Sequence, residues 1–303
     1  MTLRVPPMSY ASFDPMINTA RHRPALWRLI LGVITIVVVL FVWFGALVLI
    51  TRRLLDTPDT DAVLRLAVLE THRPESVILN LFLIAGLALG TFVAAALWHK
   101  RRPASLFGAG AKTLRHFAIA AGLTFAAMAF LQVIGMPFLD SPSLNLDPIA
   151  WISWLPLALL GILVQTGAEE ILFRGYLQSQ LAARFKSPVW WLLLPSILFA
   201  LLHLTPEYST ALATYILLAT FAFGVMAADL TARTGSIGAA WGFHFANNTL
   251  AILLISSQST LSGLALFKSS IALDQITHLS PLFVLDIVIV VLVWLLIRRV
   301  LAR

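Results

Sequence analysis

The sequence predicts an all-α fold, a polytopic bundle of about eight transmembrane helices with both termini on the cytoplasmic side. Three observations lead there. Hydrophobic residues make up 59% of the 303-residue chain and charged residues only 12%, with a mean hydropathy of +0.90; an ordinary soluble domain carries about 25% charged residues. Apolar runs of 16 to 25 residues recur along the whole chain. A bilayer core needs ~20 residues of helix, and in lipid only helices or closed barrels satisfy their own backbone. Finally, lysine and arginine concentrate in every second connecting segment, the pattern expected when those segments stay in the cytoplasm.

The candidate spans are 26–50, 77–98, 117–138, 151–174, 189–204, 211–230, 237–255 and 281–297. The first is too long for a signal-peptide core and has no small-residue cleavage site, so it reads as a retained span. The N-terminal segment holds Arg4, Arg21, Arg23 and Arg28, and the second loop Lys100, Arg101, Arg102, Lys112 and Arg115. Arg184 and Lys186 fall in the fourth loop, Arg233 in the sixth, and Arg298, Arg299 and Arg303 at the C-terminus. The third and fifth loops hold no basic residue, the seventh only Lys268, and the first mixes both signs. This distribution accounts for the net charge of +7 as membrane topology, with no nucleic-acid partner implied. The chain contains no cysteine, which excludes disulfides, thiolate nucleophiles and thiolate-ligated metals. No internal repeat or low-complexity linker is visible. The organisation is an N-terminal region of three spans (1–150), a core (151–255), and a loop with the last span (256–303).

Polar residues inside the spans carry the functional signal. Glu169 and Glu170 lie in an apolar run with Arg174 one turn on. A carboxylate at mid-bilayer costs ~2.5–3.5 kcal/mol on insertion scales, so ionisable groups there mark a functional site by default. Glu170 and Arg174 are four apart and can pair, whereas Glu169 is rotated by ~100° and left free for another partner. Of seven histidines, His203 and His244 lie inside apolar runs. Glu169 and His203 are each seventeen residues from Lys186. An antiparallel hairpin turning near Lys186 therefore brings both to one depth, ~25 Å from the turn. His244 and Asn248, again four apart, follow Arg233 by 11 and 15 residues and reach ~16 and ~22 Å from that turn. Phe199 precedes His203 by one turn. Gln132 is the most polar span residue of the first 150 and is expected to serve packing.

The three motifs, Glu-Glu-x-x-x-Arg at 169–174, Phe-x-x-x-His at 199–203 and His-x-x-x-Asn at 244–248, resemble the signature of the CAAX-protease and bacteriocin-processing family of intramembrane proteases, which includes the type II CAAX prenyl endopeptidases. The resemblance covers about one third of the chain, with motif order and spacing kept. It implies a peptide hydrolase in which Glu169 and His203 activate a water, His244 and Asn248 stabilise the oxyanion, and Arg174 holds Glu170. An oxyanion donor is worth ~3–4 kcal/mol in known cases. A rival assignment makes Glu169, His203 and His244 ligands of a catalytic zinc, whose three-ligand open site these residue types suit. The metal-free reading is favoured, so no cofactor is expected.

Other chemistries fit less well. No His-Glu-x-x-His zinc helix is present. The 235–238 segment, Gly-Ser-Ile-Gly, is not a rhomboid-like Gly-x-Ser-Gly and reads as a helix start. Asp286 lacks the Gly-Asp partner motif of aspartyl intramembrane proteases and is expected to be solvated or capping. An ion-coupled transporter also places Glu, His and Arg at midplane, but no two halves carry matching polar interruptions. A catalytically silent scaffold or immunity protein is the third possibility, against which the intact motifs stand. Expected partners are the bilayer and a membrane-associated peptide or protein. Arginine outnumbers lysine 17 to 4, which points to a GC-rich, bacterial genome and hence to an inner-membrane location, where a prenylated CAAX tail is not the expected substrate.

Overall fold

The structure is a computed structural model that describes residues 10–68, 70–135, 142–205, 208–256, 261–269 and 281–301, the side chains of 68, 131–135 and 281–283 excepted. The Gln132 side chain and residues Pro206 and Glu207 thus lie outside the described residues. The fold is all-α, and five helical runs are long and apolar enough to cross a membrane: Leu26–Leu54, Pro74–His99, Gly110–Phe130, Pro148–Arg184 and Thr210–Thr234. These answer to the first, second, third, fourth and sixth expected spans. The fifth is shorter than expected, a helical run of Val189–Leu201. The seventh is a 16-residue helix, Gly238–Leu253. The eighth, Pro281–Leu301, has 21 residues and carries Asp286, Arg298 and Arg299.

The helices are α1 (Asp14–Arg21), α2 (Leu26–Leu54), α3 (Thr60–Val68), α4 (Pro74–Leu83), α5 (Ala85–His99), α6 (Gly110–Gly135), α7 (Pro148–Glu170), α8 (Ser179–Arg184), α9 (Leu194–Leu201), α10 (Thr210–Thr234), α11 (Gly238–Leu253) and α12 (Pro281–Leu301). The expected fourth span continues past Arg174: a π-helical stretch, Ile171–Gln178, joins α7 to α8. Chain ends of the elements follow ordinary rules. Asp147 caps α7 by accepting from the N–H groups of Ile149 (2.9 Å) and Ala150 (3.1 Å), with Pro148 at the first helical position, satisfying orphan donors. Gly235 closes α10 in the left-handed region at φ 70°, a conformation a Cβ disfavours. The all-helical plan has one small addition. Strands β1 (Ser143–Leu144), β2 (Ile255–Ser256) and β3 (Phe267–Lys268) form a sheet in the order β1-β3-β2, with β1 antiparallel and β2 parallel to β3. It ties the segment entering α7 to the segment leaving α11.

The core is hydrophobic, and large apolar residues cover the outer surface as well. Ile30, Phe41 and Val42 on α2 are exposed, while Glu170, Arg174, Gln178 and Gln180 are buried. This is the distribution expected when lipid is the outer solvent. α2 runs antiparallel to α4 and α5: Arg28 Nη1 donates to the Trp98 carbonyl of α5 (3.0 Å) and Trp43 Nε1 to the Phe82 carbonyl of α4 (2.8 Å). At the Arg233 end, Asp229 accepts from Tyr10 Oη (3.1 Å), Arg233 Nε (2.8 Å) and Trp294 Nε1 (3.2 Å). One carboxylate thus fastens the N-terminal segment, α10 and α12. Burial and the Asp229 charge push the Tyr10 phenol up to about 12, so it remains a donor at neutral pH.

The closest helix contact is α11 against α6. A Cβ on Gly238 would overlap the Thr113 carbonyl, and one on Gly242 would overlap the carbonyl of Phe117. Gly238 and Gly242 form a Gly-x-x-x-Gly face, which lets two backbones meet where lipid removes the usual hydrophobic drive. α11 also carries His244 and Asn248, so this contact sets their position. Gly242→Val is expected to destabilise the protein by about 1–3 kcal/mol, the usual overpacking cost, measured as thermal unfolding in detergent. Gly45, where an added methyl group would meet nothing within 4 Å, is the control: Gly45→Ala leaves the transition unchanged. Equal transitions for the two variants would remove the contact as a determinant.

Candidate active site

The π-helical stretch begins directly after Glu170 and is buried along its whole length. A π turn widens the helix locally and redirects side chains, which is why such turns recur at functional sites. Arg174 lies inside it, only 2% exposed. Its Nη1 donates to Glu170 Oε1 at 2.8 Å and its Nη2 to the Gly224 carbonyl at 3.3 Å. Its guanidinium also sits 4.9 Å over the Phe199 ring. The pairing expected from the four-residue spacing is present. Glu170 is fully buried and also accepts from His244 Nδ1 at 2.9 Å.

His244 therefore joins the two glutamates. Its Nδ1 faces Glu170, and its Nε2 lies 3.6 Å from Glu169 Oε2. An ionised carboxylate can only accept, so in this bond His244 Nδ1 carries the proton. Glu169 Oε1 accepts from Gln165 Nε2 at 2.7 Å, and its buried Oε2 has no hydrogen-bond partner among the described residues. Beyond Gln165 the polar chain continues. Asn248 Nδ2 donates to Gln165 Oε1 (3.0 Å), and Asn247 Nδ2 approaches Asn248 Oδ1 (3.4 Å).

His203 differs from its expected setting. It stands past the end of α9, on the turn that follows Leu201, where its N–H still bonds the Ala200 carbonyl at 3.1 Å. Pro188 is the N-cap of the preceding helical run, so that run starts where the apolar segment does. His203 Nδ1 is 2.7 Å from the Phe199 carbonyl, and the two rings are 4.5 Å apart. A carbonyl cannot donate, so Nδ1 carries a proton and Nε2 is left out of this bond.

Glu169, His203, His244 and Asn248 all line one cavity of about 570 Å³, with Phe199 in its wall. The hairpin about Lys186 does bring Glu169 and His203 together in that wall. The histidine that approaches Glu169 most closely, however, is His244. Glu170 and Arg174 lie behind the wall. The set expected for zinc, Glu169, His203 and His244, shares the cavity, yet among the described residues no group of three His, Asp or Glu side chains is arranged to hold a metal ion.

Several lining residues escaped sequence reasoning. Gln165 is four before Glu169, and the spacing rule that paired Glu170 with Arg174 also finds it. Asn80, on α4, spends both amide hydrogens on the carbonyls of Ala67 (2.8 Å) and Ser76 (2.9 Å), and its side chain lines the cavity. The first 150 residues thus do contribute to the site. Asp286 is exposed, as a solvated role requires, and it also lines the cavity and accepts from Tyr215 Oη at 2.7 Å. No short-range pattern joins these two residues, 71 positions apart.

The fold and site define a helical membrane protein with a buried carboxylate–histidine centre opening on a cavity. Residues 150–250 match the family described as type II CAAX prenyl endopeptidase, Rce1-like. The resemblance read from the three motifs therefore holds over the segment that carries them, and it supports a membrane protease at the level of the family. The chain is also 32% identical over 120 residues to the uncharacterized protein YyaK of Bacillus subtilis (strain 168). That alignment covers 39% of this chain and 39% of the relative, so the chain spans about two fifths of the length of the curated protein it matches. No solved structure matches it.

Breaking the buried interlock has a defined cost. Arg174→Met leaves Glu170 buried and uncompensated, and a loss of about 3–5 kcal/mol is expected. The double variant Glu170→Gln with Arg174→Met should recover much of it. Thermal unfolding of the three proteins in one detergent checks this; a double variant no more stable than Arg174→Met would refute the pairing as a stability element.

Proposed function

We propose that the protein is an intramembrane endopeptidase that cleaves a membrane-associated peptide or protein with a water activated by Glu169. The observation that carries this reading is the Glu169 Oε2 atom, buried and without a hydrogen bond among the described residues, 3.6 Å from His244 Nε2, in a cavity lined also by His203 and Asn248. The water donates to Glu169 Oε2 and lies against the lone pair of His203 Nε2. Its oxygen attacks the scissile carbonyl while its proton passes to Glu169. The developing oxyanion accepts hydrogen bonds from Asn248 Nδ2 and, when the ring is doubly protonated, from His244 Nε2. Collapse breaks the C–N bond, and Glu169 returns its proton to the leaving amine. Gln165 orients the Glu169 carboxylate, and Glu170, held by Arg174, orients His244. No step is routed through a metal.

The reading extends to placement. Eight membrane-crossing segments with both termini cytoplasmic agree with the alternating loop charge. A bacterial inner membrane agrees with the arginine-rich composition and the Bacillus relative. An ion-coupled transporter is the second reading; the polar groups inside the membrane favour it no more than they favour hydrolysis, and the family match supports a peptidase.

The test compares the membrane proteomes of cells carrying wild-type and Glu169→Gln protein, with metal analysis of both purified proteins. Cleavage products present with wild type and absent with the variant are expected. With a purified substrate so found, Glu169→Gln lowers kcat by about 10²–10⁴-fold and Asn248→Ala by about 10²-fold, while a chelator leaves the rate unchanged. Unchanged processing in Glu169→Gln would defeat the protease reading. Stoichiometric zinc whose removal abolishes cleavage would hand Glu169, His203 and His244 to the metal instead.

A further inference from the structure

The cavity has a second polar pole that the mechanism does not use. Its wall along α10 runs from Tyr215 and Ile216 through Ala219, Thr220, Ala222 and Phe223 to Met226, the three- and four-residue spacing of one broad helix face. Phe223 marks the catalytic end, because its ring lies 4.9 Å from that of His244. Tyr215 is eight residues earlier, ~12 Å along the helix. There its phenol donates to Asp286 Oδ2 on α12 at 2.7 Å, which fixes a carboxylate in the cavity wall. Between the two poles the wall is mostly apolar, and the hydroxyl of its one polar residue there, Thr220, is spent on the Ile216 carbonyl. No lysine or arginine is present among the described residues that line the cavity, and its two formally anionic side chains are Glu169 and Asp286.

We infer that Asp286, held by Tyr215, is a specificity residue that selects a lysine or arginine side chain in the peptide being cleaved. The inference rests on the endopeptidase reading above. An extended peptide advances ~3.3 Å per residue, so ~12 Å separates the selected residue from the scissile bond by three or four positions. Asp286 is exposed to the cavity, so a cation there is attracted to its carboxylate and an acidic residue is repelled. The same charge disfavours a free C-terminal carboxylate. A C-a-a-X tail opened after its cysteine ends three residues further on and would set its terminus against Asp286. The substrate class is therefore an internal bond near a basic residue, not a chain terminus.

The experiment uses full-length protein in detergent and a set of internally quenched decapeptides in which Lys, Gln or Glu is moved through each position, with cut sites mapped by mass spectrometry. Fluorescein-labelled forms of the same peptides are titrated by anisotropy against Glu169→Gln protein. Wild type is expected to favour Lys over Glu by about tenfold or more in kcat/KM at one position three or four residues from the cut. Asp286→Asn brings that ratio close to one, and Asp286→Lys reverses it. Because each ratio is taken within one protein, partial misfolding of a variant leaves it unaltered. Cleavage with no charge preference, or a preference that survives Asp286→Asn, overturns the subsite and leaves the protease reading standing. If no peptide is cut, a Lys-over-Glu preference in binding that disappears when Asp286→Asn is added sustains the subsite while the protease reading fails; equal binding of both peptides overturns it.

Discussion

The buried interlock of Glu170, Arg174 and His244 is the constraint on which the rest of the site depends. A lone carboxylate inside a membrane protein is costly, and so is a lone guanidinium. Here Glu170 Oε1 takes Arg174 at 2.8 Å and His244 at 2.9 Å, so one oxygen joins the α7 end, the π-helical stretch and α11. Arg174 in turn reaches the α10 backbone and the Phe199 ring of α9. Five helical segments are thus registered by one ion pair, its hydrogen bonds and one ring contact. A geometry fixed in this way can hold a neighbouring carboxylate, Glu169, with one oxygen committed to Gln165 and the other turned to the cavity.

Packing around the interlock has to be achieved without the hydrophobic effect between helices, since lipid is as apolar as leucine. The α6–α11 contact through Gly238 and Gly242 replaces it with close backbone approach. The Asp229 cluster does the corresponding work at the Arg233 end, where Tyr10, Arg233 and Trp294 share one carboxylate. Both devices position α10, α11 and α12, three of the walls of the cavity. Catalytic geometry and membrane packing are therefore set by the same few polar and small residues.

The hydrogen bonds place a proton on one named nitrogen of each histidine. Phe199 O holds the proton of His203 on Nδ1, and Glu170 holds that of His244 on Nδ1. Each ring turns its Nε2 towards the working space. The two are not equivalent: His244 is tied to the buried carboxylates, while His203 stands on a turn beyond a helix end. That difference suits one to fixed electrostatic support and the other to contact with a mobile water.

By itself the sequence determined the helical membrane fold, the loop-charge pattern, the Glu170–Arg174 pair and the shared cavity of Glu169, His203, His244 and Asn248. These follow from period and spacing: apolar length, the four-residue rule and the equal arms about Lys186 are local quantities. The length of the fourth helix was not legible, because a π turn carries it past Arg174 to Arg184 without any apolar signal. Neither was the place of His203, since an apolar run does not reveal where its helix stops. Tertiary structure alone decided that His244, not His203, lies nearest Glu169, that Asn80 reaches the cavity from α4, and that Tyr215 and Asp286 meet across 71 residues. Each of these depends on how helices distant in the chain are rotated against one another, and that rotation is set by small-residue contacts and buried ion pairs that no single helix encodes.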